Sequence, residues 1–559
     1  MAQCRSARSV VVALLLVCAS AAPADATIRY AEPTGATTGG CTESEAFCRF
    51  DRAVSAAVTA PGDEVIVMPG TYNVTNTGAT IGDRLYVHGW DASERPLLID
   101  TNDGVPLFID DGAAGTRIRY LEIQSLGTGG TSAAIMMEGA HTIEDVVLKG
   151  AKNCVDATGA GASFVDVRAT TINEEMAGVC LKMGTDATLR RVTGRRAMGT
   201  GSIVALRNGS TVEDSTFTSD GDEGGAPAVT TDGGAVLRRV YIRADYGLDV
   251  GLGSTIVTDS IVEAGSNALA ASNAGPGDRV DVRNAVLRAT GASGVAVSAA
   301  SASFSPATGA YVTLRNVIAR GAGHDLYAKP DASSCFCSPA TIDVAFSNYR
   351  TFSGAGNKVV GPGNQSGDPR FVGPGDLRLA DHSPAIDAGT NDLLGPSAFD
   401  GALRVQGAAV DIGAYERAAL PPPPPPPLPP SDAPRPGAPP PQQPPPGPPP
   451  PRADTTAPVL SKASLARRRV RRGTPPRLRV TSSERAVLKV RIVRLRRGRR
   501  STTVKTLTAP LTAGPNVVAI QSGQAPAGRY RLELVATDAA GNASPATRVP
   551  LRILRRARS

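Results

Sequence analysis

Two aspartates, Asp220 and Asp245, stand 25 residues apart, and the same interval separates Asp214 from Arg239 in a phrase that the chain repeats. Carboxylates held at one phase of neighbouring extended repeats would lie about 5 Å apart. At that distance they repel, and the stable outcomes are a bound cation or one raised pKa. Asp222 and Asp249 offer further oxygens nearby, which suits calcium, a cation that surrounds itself with oxygen ligands. Asp220, Asp222, Asp245 and Asp249 are therefore the candidate calcium ligands. Arg243 is the candidate base if the site removes a proton, with Asp220 and Asp245 as its acidic partners. The plainer alternative is a set of loop acids that never meet. The elements that carry them decide between the two.

Aligned on one marker residue, the phrase recurs at Tyr120, Asp145, Asp166, Arg191, Asp214, Arg239, Asp259, Asn284, Asn316 and Asn348. The first seven intervals run from 20 to 25 residues and the last two are 32. Self-similarity at such a period means a solenoid. Two residues before the marker stand Ile118, Ile143, Phe164, Leu189, Val212, Leu237, Val257, Val282, Leu314 and Phe346, all apolar. One residue after come Leu121, Val146, Val167, Val192 and Val240, and three after come Ile123, Leu148, Phe217, Ile242, Val262 and Leu287. Strand alternation puts the last two sets on one face but leaves the first out of phase. The chain must bend at the marker so that both short strands point inward. Asn and Asp suit that place because they tolerate the left-handed conformation. No leucine–asparagine consensus or 3.6-residue period is present. The phrase predicts one coil of a parallel β-helix of about ten or more coils.

Four residues past the marker, on the outward side, come Lys149, Arg195, Arg243, Arg288 and Arg320, interrupted by Thr170, Thr218 and Glu263. Stacked coils would line these into a broken basic strip. A solvated face that discourages edge pairing is one reading; a track for an acidic polysaccharide is the other.

The ends of the chain set its compartment. Arg5 and Arg8 precede an apolar run, Val10 to Cys18, and "ADA" at 24–26 fits a cleavage site, so residues 1–26 read as a signal peptide. The run is too short to span a bilayer. No later stretch is long and apolar enough either, so a secreted or cell-surface protein is expected. Six cysteines remain after the signal, which favours disulfides over metal ligands. Cys154 and Cys180 lie twelve and eleven residues before their markers, nearly one phase of successive coils, and are expected to pair. Cys41–Cys48 would close an N-terminal loop, and Cys335 would pair with Cys337. Residues 418–454 form a spacer, with 21 prolines between 421 and 451. Between 461 and 500 there are sixteen Lys and Arg against one Glu, while the whole chain carries +8. An exported protein would meet an anionic cell-envelope polymer or acidic polysaccharide with such a patch, and no nucleic acid is expected.

The stretch "AVSAAVTAPGDEVIVMPGTYNV", 53–74, resembles the entry to bacterial right-handed parallel β-helix proteins of the pectin-lyase-like class. That resemblance implies a short amphipathic helix capping the solenoid before "GDEVIVMPGTY" forms the first coil. "DPRF" (368–371), "LRL" (377–379), "SPAIDAG" (383–389) and "VDIGAYE" (410–416) are similar to the choice-of-anchor segment that follows such solenoids. Residues 27–417 would then be the β-helix with both caps. In the C-terminal motif Asp387, Asp411 and Glu416 would hydrogen-bond the closing turns or hold an ion. Lyases of this class abstract a proton with Arg or Lys beside acidic calcium ligands. Polygalacturonases carry "NTD", "DD", "GHG" and "RIK" strings; this chain has no "NTD", "GHG" or "RIK", and no "DD" beside a "GHG". Residues 455–559, with "AVLKVRIVRL" and "GRYRLELVATDAAGNAS", resemble an immunoglobulin-like or fibronectin-III-like module. The sequence therefore reads as a protein that binds or displays toward carbohydrate without catalysis. The alternative is a polysaccharide lyase or glycoside hydrolase acting on an acidic polysaccharide. A groove lined by a basic residue and calcium-ligating acids would favour the enzyme, and a smooth coil face the binder.

Overall fold

In the computed structural model, nine of the ten markers, Tyr120 through Asn316, sit in the left-handed region with φ between 51° and 58°. The chain bends there as the side-chain phases require. The tenth differs: Phe346, at φ 48°, takes the bend instead of Asn348. Leu314 pairs with Val344, so Phe346 stands over Asn316, while Asn348 bridges Ile318. The last interval is thus 30 residues, two shorter than the sequence pattern implies, because Phe346 is a half-buried bend residue and not a core residue.

The structure describes residues 26–417 and 457–554, apart from 75–77, 174–177, 198–200, 220–224, 273–276, 302–308, 331–337, 393–394, 396, 466–468, 472–475, 485, 496–501, 512, 521–527 and 539–541. The expected signal peptide, except Ala26, the expected spacer at 418–454 and the expected Cys335–Cys337 pairing fall outside them. The chain divides into two compact units, residues 1–425 and 426–559.

In the first unit the coils from Tyr120 to Asp259 each contribute two short strands flanking the bend, such as Arg117–Arg119 and Glu122–Ser125, to a 23-stranded sheet, and at Asn284 and Asn316 the two merge into single strands, Val280–Ala289 and Ala310–Gly321. A third strand, such as Ala133–Met137, joins a 12-stranded sheet. Every ladder in both sheets is parallel, as in Ile143 pairing with Ile118 below and Phe164 above. This is a parallel β-helix. Its core is a set of columns. The residues two before the first nine markers are at most 1% exposed. Across from them Ile135, Val155, Leu181, Val204, Val229 and Leu248 stack in register and are buried. Truncating one of these to Ala removes contacts on every side and costs about 2–5 kcal/mol.

Where the residue after the bend is not apolar it is serine, for a definite reason. Ser215 Oγ accepts the Val192 N–H of the coil below at 3.0 Å and donates to the Glu213 carbonyl at 2.7 Å. Ser260 and Ser347 repeat this geometry. The hydroxyl thus satisfies backbone groups that the bend takes out of the ladder. Bulky markers are held by their neighbours: Arg191 donates to Asp166 at 2.6 and 2.8 Å, and Arg239 to Asp214 at 2.6 and 3.1 Å. The same hydrogen bonds hold both carboxyls below their ordinary pKa range. Cys154 and Cys180 are bonded, with Cα atoms 4.5 Å apart, and Cys41 is bonded to Cys48. Both pairings follow the expectation.

The N-terminal entry is built differently from the expectation. Residues Ile28–Ala36 form a strand whose first four residues pair with Glu64–Val67, so the "GDEVIV" strand is not the outermost. Arg29 fixes that added strand through a buried ion pair with Asp63 at 2.9 Å. The helix is a single turn, Phe50–Ala53, with Phe50 and Ala53 buried in the core cluster. It ends because Ser55 Oγ captures the Ala57 N–H, a local bond that competes with helix propagation.

The second unit is a pair of sheets. Strands Leu460–Leu465, Arg477–Ser482 and Gly514–Ala519 form one; Arg469–Arg471, Thr547–Leu554, Gly528–Thr537, Ala486–Leu495 and Thr502–Leu511 form the other, in that spatial order. Alternation along Ala486–Leu495 buries Leu488, Val490 and Ile492 against Leu478, Tyr530 and Leu551.

Candidate functional site

Strand register turns the basic strip into a column. Lys149 pairs with Thr170, Thr170 with Arg195, Arg195 with Thr218, and Thr218 with Arg243. Arg243 then pairs with Glu263, Glu263 with Arg288, and Arg288 with Arg320. Parts of the column are neutralised: Lys149 contacts Glu122 at 2.7 Å, and Arg320 contacts Asp325 at 3.8 Å while donating to the Asn348 and Gly367 carbonyls.

Only in its later coils does the column become a groove. Residues 368–417 turn back and cover the flank of the solenoid. They pack Leu377, Leu379, Ala385, Ile412 and Ala414 on Ile261, Val286 and Ile318. Those three lie two residues past their markers, a position that is polar in most earlier coils, at Glu122, Arg168, Thr193 and Thr216, with Val147 the exception. The resemblance implies a cap at the end of the solenoid; the segment instead lies along its side. The switch from polar to apolar at that position was the signal in the sequence.

Buried charge fastens the flank. Arg404, with a side chain 2% exposed, reaches Asp259 at 3.5 Å and Glu416 at 3.6 Å, and donates to the carbonyls of Gly413 and Ala414. Burial pushes the carboxyls of Asp259 and Asp411 up, and that of Glu416 to about 8. Asp411 accepts from the Asp387 and Arg417 backbone N–H groups at 2.8 Å each, and Glu416 from that of Asp411 at 3.0 Å. Asp387 accepts from Ala409 at 3.1 Å. These three acids hydrogen-bond the closing turns, as one of their two expected roles.

Between the flank loop at Pro374 and Gly375 and the solenoid wall lies an open groove of about 500 Å³. Tyr241, Arg243 and Asp245 line it with Glu263, Gly265 and Arg288. The Tyr241 hydroxyl donates to Glu263 at 2.8 Å, and burial, then this hydrogen bond, pushes its pKa up to about 12. Arg288 bridges the two walls, contacting Glu263 at 3.4 Å and donating to the Pro374 carbonyl at 2.8 Å. Gly265 is needed beside Asp245, because a Cβ there would come within 2.3 Å of the Asp245 carboxylate. The groove therefore presents two guanidinium groups, two carboxylates and a protonated phenol.

The structure brings Arg243 and Asp245 into this one groove. Asp249 belongs to the 12-stranded sheet, where it pairs with Thr230 and Ala270. It is not among the groove's lining residues. Burial raises its pKa and Tyr246 hydrogen-bonds it. Asp220 and Asp222 lie outside the described residues. Elsewhere Asp110, Asp111 and Glu138 bring carboxylate oxygens within 4.8 Å of one another, a cluster that the repeat alignment did not pick out; Asp110 accepts from Gly112 N–H at 3.1 Å.

No family model matches the chain, and no curated protein matches it. Among solved structures it is similar to the catalytic domain of a GH87 alpha-1,3-glucanase in complex with nigerose. That match has 10% identity and a TM-score of 0.34, and covers 54% of this chain and 66% of that one. It is also similar to XylC in complex with xylose, with 8% identity and a TM-score of 0.38, covering 70% of this chain and 99% of that one. The chain spans just under two thirds of the glucanase domain's length. Likenesses at these scores carry no assignment of activity.

Proposed function

We propose that this chain is an exported protein whose β-helix binds an acidic polysaccharide, without catalysis, in the groove between the solenoid wall and its flank segment. The supporting observation is that Arg243 and Arg288 stand on adjacent sides of Glu263 along one column and line the same groove. Guanidinium groups suit carboxylates because their planar forks match that geometry. The two disulfides fit an oxidising, extracellular setting. Among the described residues no helix is long and apolar enough to cross a membrane. Most of the groove's polar groups are already engaged with each other, an arrangement suited to orienting a ligand rather than to releasing a base.

A lyase is the second reading, supported by one observation: a basic residue, Arg243, and an acid, Asp245, line one depression. Arg243 would act as base beside Asp245. Asp245 would then be the calcium ligand on the groove, without Asp249, whose partner is Tyr246.

Calorimetry with short oligogalacturonates on the whole chain tests the binding reading. Arg243→Ala/Arg288→Ala should weaken binding on the order of tenfold, as loss of charged partners does. Unchanged binding overturns it. An unsaturated product that disappears in Arg243→Ala would establish the lyase instead. Calcium titration of wild type and Asp245→Ala decides the metal: equal null heats remove it.

A further inference from the structure

One buried arginine of the solenoid has no acid to answer it. Arg196 ends strand Thr193–Arg196, where alternation with the exposed Thr193 and Arg195 puts Gly194 and Arg196 on the inner side. In register it stands between Thr171 of the coil before and Ser219 of the coil after, about 4.8 Å from each strand. Gly150 and Ser125 continue the column, so small residues surround the one long cation.

Arg196 is 5% exposed. Its Nε donates to Ser219 Oγ at 3.3 Å, while its Nη1 is buried with no hydrogen-bond partner among the described residues. Burial pulls its pKa down, and among the described residues no acid offsets that pull. Thr171 is a second orphan: it too is 5% exposed, and its Oγ1 is buried without a partner among the described residues. Ser219 accepts from Arg196 and so keeps its own O–H to donate. It also lines the groove, beside Tyr241 and Arg243. A buried cation without a counter-ion is strongly destabilising, and a buried hydroxyl without a partner adds to the cost. Such violations mark places where a bound group completes the structure.

We propose that Thr171, Arg196 and Ser219 form an oxyanion pocket at one end of the groove, which takes a carboxylate of the bound acidic polysaccharide. This rests on the reading of the groove as a polysaccharide site and extends that site by one coil. The guanidinium fork fits a planar carboxylate, and the two hydroxyls can donate to its remaining lone pairs. Arg288 is already offset by Glu263; Arg196 brings its whole charge to the ligand.

Thermal unfolding of the whole chain, titrated with sodium galacturonate against glucose at matched ionic strength, tests the pocket. Wild type should be stabilised by galacturonate and not by glucose. Arg196→Met should need on the order of tenfold more galacturonate for the same shift, as truncating a buried charged partner does, and Thr171→Val several-fold more. Without ligand, Arg196→Met should melt above wild type, because it removes a charge that nothing offsets; an arginine that only supports the fold would have the opposite effect. The groove variant Arg243→Ala/Arg288→Ala should keep the galacturonate response while losing affinity for oligogalacturonates. Equal responses in wild type, Arg196→Met and Thr171→Val overturn the pocket, even where oligogalacturonates still bind through Arg243 and Arg288. A galacturonate response that depends on Arg196, in a chain that binds no oligogalacturonate, keeps the pocket and removes the groove reading. Sulfate acting through the same residues at lower concentration than galacturonate overturns the assignment to a carboxylate.

Discussion

The two units treat the same side chain in opposite ways. In the first unit several arginines stand against an acid of a neighbouring coil or of the flank: Arg191 with Asp166, Arg239 with Asp214, Arg288 with Glu263, Arg404 with Asp259 and Glu416. Within the second unit, residues 455–559 hold 24 basic residues against three acids. Stacking explains the contrast. A solenoid brings position after position into one column, so an unmatched charge would be repeated at every coil unless its neighbour offset it. A two-sheet unit has no such repetition, and its outer face is free to carry net charge. Arginine therefore supports the architecture in the first unit and marks a surface in the second.

The largest expected effect breaks the matching where it is buried. Arg404→Ala leaves Asp259 and Glu416 without their cation and should cost about 3–5 kcal/mol. Hydrogen exchange should show residues 368–417 losing protection while the coils from Tyr120 to Asp214 keep theirs. Equal loss across the solenoid would mean that the flank is not a separate layer. The groove should go with the flank, since Pro374 and Gly375 form one of its walls.

A smaller effect follows from pH. The Glu416 carboxyl is pushed from its ordinary 4.5 to about 8 by burial. Between those values the native flank holds a proton that the unfolded chain has released, so its stabilisation is complete below pH 4.5 and is lost as pH rises through about 8. Flank protection should decline over that window, and Glu416→Gln should flatten the decline. A profile that rises with pH would reverse the assignment.

At the surface the expected change is smallest. Arg191→Asn removes the ion pair with Asp166, worth at most about 1 kcal/mol when exposed. It also installs a residue that tolerates the left-handed bend. The two should nearly cancel, leaving thermal stability within about 0.5 kcal/mol of wild type. Added salt sharpens the contrast between the units: it should raise the stability of the second, by screening its repulsion, and leave the first almost unchanged.

Much of the solenoid was legible because its signals are local and repeated. The phase mismatch between Ile118 and Leu121, renewed at every marker, required a bend whatever the rest of the chain did. The Cys154–Cys180 bond followed from counting back from two markers. Phe346 broke the rule because a large apolar side chain at the bend reads as core in sequence. The N-terminal strand was missed because its pairing with Glu64–Val67 spans 36 residues and repeats nothing. The candidate site was legible in part: Arg243 and Asp245 came from the repeat, while Asp249 fell on the other sheet because an intervening turn resets the phase.

The sequence by itself determined the period, the bends, the inward columns and the cysteine pairing, since each depends on residues within a coil or its neighbour. Only the tertiary structure decided that residues 368–417 lie along the flank and so make a groove of one stretch of the basic column. That outcome depends on Ile261, Val286 and Ile318 meeting Leu377 and Ile412, and on Asp259 meeting Arg404 145 residues later. No local pattern encodes which distant segment will cover an apolar patch; burying it and its charges together is settled only when the chain has folded.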